Sequence, residues 1–77
     1  MFFLKVRKNV NGSFQLEIFD ENLSKLEENS FADNFEFNFY IQTWQQKTHF
    51  PKTLLVIHDI KKNSSEIQLV EKKEIFL

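Results

Sequence analysis

The only imidazoles are His49 and His58. Neither stands at a metal-ligand offset from a carboxylate or from the other, as a His-Glu-x-x-His zinc site requires. His58 and Asp59 are chain neighbours. On a strand their side chains point to opposite faces, so the carboxylate cannot orient the ring as in a hydrolase triad. His58 shares a stripe with Leu54, Val56 and Ile60 and reads as a histidine at the edge of the core. The acidic pairs Asp20-Glu21 and Glu27-Glu28 read as helix-start and solvent-face residues rather than acid–base partners. A single glycine, Gly12, cannot build a phosphate-cradling loop, and the lack of cysteine removes thiolate metal sites and disulfides. No catalytic residue, metal or cofactor is expected.

What remains is the chemistry of surfaces. Ten Lys and Arg stand against eleven Asp and Glu, a net charge of −1 that gives no global attraction to nucleic acid or anionic membrane. The charge is segregated, however. Residues 17–46 carry Glu17, Asp20, Glu21, Glu27, Glu28, Asp33 and Glu36 against Lys25 alone, a local −6, while the rest is +5. A length of 77 residues fits one domain, 1–77, with a single core. No apolar run is long enough to span a bilayer. In Met1–Lys8 the apolar residues precede the basic ones, the reverse of a secretory leader, so a reducing cytoplasm is the expected setting.

The elements that position side chains follow from periodicity. Phe2, Leu4 and Val6 alternate with Phe3, Lys5 and Arg7, and Phe14, Leu16 and Ile18 alternate with Gln15, Glu17 and Phe19, the period of half-buried strands. Asn11-Gly12 between them marks a hairpin. A two-residue loop would pair Val6 with Glu17 and put the two apolar stripes on opposite faces. A three-residue loop, Val10-Asn11-Gly12, pairs Asn9 with Ser13, Val6 with Leu16, Leu4 with Ile18, Lys5 with Glu17 and Phe3 with Phe19. Gly12 then takes the left-handed position of a bulged turn.

Residues 20–31 are expected as the single helix, capped by Asp20 or Asn22, or started later by the capping-box pattern Ser24-Lys25-Leu26-Glu27. Leu23, Leu26 and Phe31 form its narrow apolar stripe. Residues 34–45 alternate Phe35, Phe37, Phe39 and Ile41 with Glu36, Asn38, Tyr40, Gln42 and Trp44, and are expected as a strand. His49-Phe50-Pro51 is expected to be extended before the proline. Residues 53–61 read as an interior strand, apolar on both faces at its start. Lys62 to Ser65 turn the chain, and Glu66 to Val70 pair back. Residues 71–77 fit either a strand extension or a short helix.

The expected fold is therefore α+β: a small antiparallel sheet in the order ββαβββ, with one helix packed on one face. The bulged hairpin and following helix of residues 1–31 resemble the β-grasp (ubiquitin-like) arrangement, a resemblance that implies binding rather than catalysis. Leu4, Val6, Leu16, Ile18, Phe35, Phe37, Phe39, Ile41, Val56 and Ile60 are expected beneath the helix. The reverse face, with no cover of its own, is expected to carry Phe3, Phe19, Tyr40, Trp44, Leu55, Ile57 and Val70. An unroofed apolar face of this kind marks an interaction site, and Trp and Tyr are favoured anchors there.

The expected function is a non-enzymatic protein-binding module. Its sharper form is a small inhibitor, of phage or mobile-element type, that docks an acidic and aromatic surface on a basic nucleic-acid-handling protein. Phe3, Phe19, Tyr40, Trp44 and Ile57 would supply apolar contact, and Glu27 and Glu28 the steering charge. Two alternatives stand beside it. One is single-stranded nucleic-acid binding, with bases stacked on sheet aromatics near Lys5 and Arg7. The other is a homodimer formed through the same face.

Overall fold

The computed structural model describes all of residues 1–77. Its elements are β1 (Phe2–Lys8), β2 (Phe14–Phe19), β3 (Lys25–Phe31), α1 (Asn34–Lys47), β4 (Thr53–Asp59) and β5 (Ser64–Val70). They form one five-stranded sheet in the spatial order β3-β2-β1-β4-β5, with a single helix, so the fold is α+β. No helix is long and apolar enough to cross a membrane. The chain order is βββαββ rather than ββαβββ, and the sheet is mixed: β1 runs parallel to β4, while every other pair is antiparallel.

The first hairpin has the register set by its apolar stripes. Val6 pairs with Leu16, Leu4 with Ile18, Lys5 with Glu17 and Phe3 with Phe19. The Asn9 N–H donates to the Ser13 carbonyl, and the Gly12 N–H to the Asn9 carbonyl, at 2.9 and 3.1 Å. Gly12 sits at φ 87°, the left-handed position that the bulge requires.

The helix expected over 20–31 is not there. Asp20 accepts from the backbone N–H groups of Asn22 and Ser24 through one carboxylate oxygen, at 2.9 and 3.0 Å. It thus closes a turn between two strands instead of capping a helix; the same acceptor chemistry serves both structures. Residues 25–31 pair with β2 as an edge strand, with a register shift beside Ile18 and Phe19. The β-grasp likeness drawn over residues 1–31 does not hold over that span, where a third strand stands in place of the helix.

The helix begins instead at Asn34. The Asp33 carboxylate accepts from the Glu36 N–H at 2.9 Å, and the Glu36 carboxylate accepts from the Ala32 N–H at 2.8 Å, a reciprocal cap. Phe37, Ile41 and Trp44, spaced four and three apart, turn to the sheet, with Trp44 only 6% exposed. Phe35 and Phe39, expected in the core, point outward and are 76% and 71% exposed. The helix ends in a Schellman arrangement. The Phe50 N–H donates to the Gln45 carbonyl and the His49 N–H to the Gln46 carbonyl. His49 and Phe50 are both left-handed, at φ 60° and 50°, and not extended as the following proline suggests.

The core lies between α1 and one face of the sheet. Leu4, Val6, Phe14, Leu16, Ile18, Leu55, Ile57 and Val70 meet Phe37, Ile41, Trp44 and Ile75 there. Phe14 stacks on Phe37 at 5.0 Å, and Phe2 meets Trp44 edge-on at 5.4 Å. Each such side chain contributes about 1.5–3 kcal/mol by leaving water. The parallel register aligns Leu4 with Leu55 and Val6 with Ile57. Leu55 and Ile57 therefore face the helix, where Val56 and Ile60 were expected. Val56 lies on the opposite face, and Ile60 is exposed in the turn after β4.

Residues 71–77 are neither strand nor helix. Their main chain is held against α1 by three side-chain amides spaced four and three apart. Asn38 exchanges both hydrogen bonds with Leu77, at 2.7 and 2.9 Å. Gln42 donates to the Ile75 carbonyl at 2.6 Å. Gln45 donates to the Lys73 carbonyl and accepts from the Ile75 N–H, at 3.0 and 2.9 Å. Asn38 and Gln45 are buried polar groups satisfied by this strap, and Ile75 is buried beneath it.

Candidate protein-docking face

The sheet face turned away from α1 is covered by no element of the chain, and the strand registers arrange it as three rows. The first runs Lys25, Phe19, Phe3, Leu54, Leu69; the second Glu28, Glu17, Lys5, Val56, Ile67; the third Ser30, Gln15, Arg7, His58, Ser65. Phe19, Phe3, Leu54, Val56, Leu69 and Ile67 adjoin one another as a single apolar corner across β2, β1, β4 and β5. Phe3, Phe19, Leu54 and Val56 are half-buried by their neighbours, while Ile67 and Leu69 stand exposed on the edge strand. A continuous apolar area on a sheet face invites a covering surface.

The remaining rows are polar. Lys25 holds both carboxylates of this face, with its ammonium 3.0 Å from Glu17 and 3.0 Å from Glu28. These hydrogen bonds to Glu17 and then Glu28 raise the Lys25 pKa above its ordinary value. Lys5 and Arg7, side by side on the central strand, make no ion pair. With Gln15, Glu17, His58 and Ile60 they line a groove of about 270 Å³. His58 contacts the Ser65 hydroxyl through Nδ1 at 2.8 Å, so it is a sheet-face residue rather than a core one.

Of the side chains singled out from the sequence, Phe3, Phe19 and Glu28 lie on this face. Tyr40, Trp44 and Ile57 do not: Trp44 and Ile57 are core residues, and Tyr40 is half-buried between α1 and β3. The Tyr40 hydroxyl donates to the Glu27 carboxylate and accepts from the Asn29 amide, the latter at 3.0 Å. Burial, and then the Glu27 hydrogen bond, push the phenol up to about 12. Glu27 thus points to the helix side and Glu28 to the open side, as strand neighbours must.

The acidic stretch does not assemble into one patch. Asp20 closes a turn, Glu21 meets the terminal ammonium of Met1, Asp33 and Glu36 cap α1, and Glu17 and Glu28 share Lys25. Leu54, Val56, Ile67 and Leu69 are not among the site residues expected from the sequence, and Lys5 and Arg7 enter there only under the nucleic-acid alternative. The two-sided apolar start of β4 and the Ile67–Leu69 period were their signal, but they give the correct face only once the register with β1 is known.

A second exposed apolar surface lies on the outer flank of α1. Phe35, Phe39 and Phe76 surround a depression of about 370 Å³ with Asn34, Asn38 and Gln42. Comparison of the chain with protein-family profiles, with curated proteins and with solved structures finds no match.

Proposed function

We propose that the protein is a non-enzymatic binding module that docks another protein on the open face of its sheet. The observation that supports this reading is the apolar corner of Phe3, Phe19, Leu54, Val56, Ile67 and Leu69, which no part of the chain roofs. Helix α1 packs on the opposite face, where Phe37, Ile41 and Trp44 meet the sheet core. Docking needs no reacting group, and none is asked of the polar residues around the corner. A protein partner suits the aliphatic part of this surface better than a nucleic acid does, because Leu54, Val56, Ile67 and Leu69 offer no π-face for base stacking.

The test uses the full chain as bait, together with the double variant Ile67→Ser/Leu69→Ser and the variant Phe39→Ser. All three side chains are exposed, so each variant keeps the fold. A partner recovered by the wild type and by Phe39→Ser, but lost with the β5 double variant, is the expected result. Equal recovery by the β5 variant overturns the reading.

A further inference from the structure

We infer that the surface docked on the open sheet face is acidic as well as apolar: an amphipathic protein segment whose carboxylates enter the groove beside Lys5 and Arg7. This rests on the docking reading above and adds the chemistry of the partner. The sign of the charge comes from which groups are already satisfied. Both carboxylates of the face are bound to Lys25, whereas the two cations at its centre have no ionic partner. Glu17, which also lines the groove, is turned to Lys25. Lys5 adjoins Val56 and Phe3 in the grid, and Arg7 adjoins His58 and Gln15. A partner that covers the apolar corner therefore removes water from beside Lys5, and one that continues along β1 into the groove covers Arg7 as well. Leaving a cation desolvated and unpaired is costly, and a carboxylate placed against it offsets that cost. Arg7 adds a planar fork suited to bidentate carboxylate recognition.

Two other occupants fit less well. A second copy of the chain could cover the apolar corner, but the two carboxylates its own face would bring, Glu17 and Glu28, are already held by Lys25, so it supplies no free carboxylate to Lys5 and Arg7. A nucleic-acid strand would find two free cations and one aromatic pair, Phe3 with Phe19, beside the Glu17 and Glu28 carboxylates. Two phosphate contacts give little affinity at physiological salt.

The experiment measures binding of three labelled probes to the full chain by fluorescence anisotropy, at low and moderate salt. The probes are an amphipathic peptide with a leucine stripe flanked by glutamates, the same peptide flanked by lysines, and an oligothymidylate. The glutamate peptide is expected to bind at least about ten-fold more tightly than its lysine twin at low salt, with the difference shrinking as salt rises. Lys5→Gln/Arg7→Gln should abolish the difference; Lys5→Glu/Arg7→Glu should reverse it. Amide chemical-shift changes should fall on β1, β4 and β5 and leave the Trp44 indole unmoved.

If both peptides bind equally and Ile67→Ser/Leu69→Ser weakens both, the acidic partner is excluded while docking on the apolar corner stands. Tighter binding of the oligothymidylate than of either peptide assigns the face to nucleic acid and overturns the inference. Self-association of the protein that excludes the peptides overturns it in favour of a second copy. If neither peptide binds at millimolar concentration, the inference and the docking reading both fall.

Discussion

The hydroxyl of Tyr40 donates a hydrogen bond to the carboxylate of Glu27, tying α1 to the edge strand β3. The Asn29 amide closes the same contact from the neighbouring position on that face. Tyr40 was expected as a display residue on the bare side of the sheet. It is instead a fastener on the covered side.

Tyr40 is the only tyrosine, so the phenolate absorbance of the protein reports this group alone. Its midpoint is expected at about 12, above the ordinary value near 10. Burial and the Glu27 carboxylate disfavour the phenolate, so the folded state holds the proton more tightly than the unfolded chain does. The associated stability is fully present below about pH 10 and is lost as pH rises toward 12. Glu27→Gln should bring the midpoint down. An ordinary midpoint in the wild type would show that the contact does not persist in solution.

Phe37 and Phe39 distinguish a helix from a strand. On a strand both would share one face and cost alike on truncation. On α1, Phe37 is fully buried and Phe39 is 71% exposed. Phe37→Ala should cost about 3–5 kcal/mol, and Phe39→Ala should stay within about 0.5 kcal/mol of the wild type. Urea unfolding followed by the fluorescence of Trp44 measures both.

Gln45 bonds the strap at two points, Lys73 and Ile75, from a site that is 1% exposed. Gln45→Ala leaves the Ile75 N–H and the Lys73 carbonyl without these partners, and should destabilise by about 1–3 kcal/mol. Gln46→Ala, one position along on the exposed side, should have little effect. Hydrogen exchange at the Ile75 amide should accelerate in the first variant and not in the second.

His49 holds the left-handed position after α1 that glycine usually fills. A non-glycine residue in that conformation costs about 1–2 kcal/mol, part of which glycine returns through the greater freedom of the unfolded chain. His49→Gly should stabilise by about 0.5–1 kcal/mol, read as a higher urea midpoint at unchanged slope. A lower midpoint would show that the imidazole itself supports the helix end.

The first hairpin was legible because everything that fixes it is local: two stripes of period two, one glycine, and a loop length that only one register satisfies. The helix was not, for two physical reasons. Asp20 and Ser24 offer the chemistry of a helix start but use it to close a turn. Phe35 and Phe39 are apolar residues at solvent positions, so the true stripe of Phe37, Ile41 and Trp44 is masked by an apparent alternation. The reciprocal cap at Asp33 and Glu36 was the overlooked clue. Phe3 and Phe19 followed the hairpin to the open face, whereas Tyr40 and Trp44 followed the misread strand to the wrong one. The aliphatic half of that face depends on the parallel register of β1 with β4, a pairing between distant segments that no local period encodes.

That register also divides the molecule in time. Residues 2–31 wind up as one meander and residues 53–70 as one hairpin, each from neighbouring segments. Within the sheet, only the seam between β1 and β4, which brings Phe2 beside Thr53, joins them. Closing so long a loop loses more chain entropy than closing either turn, so the zipping of this seam is expected to limit the folding rate. Substitutions along it would then slow refolding, whereas those at the outer strands would chiefly hasten unfolding.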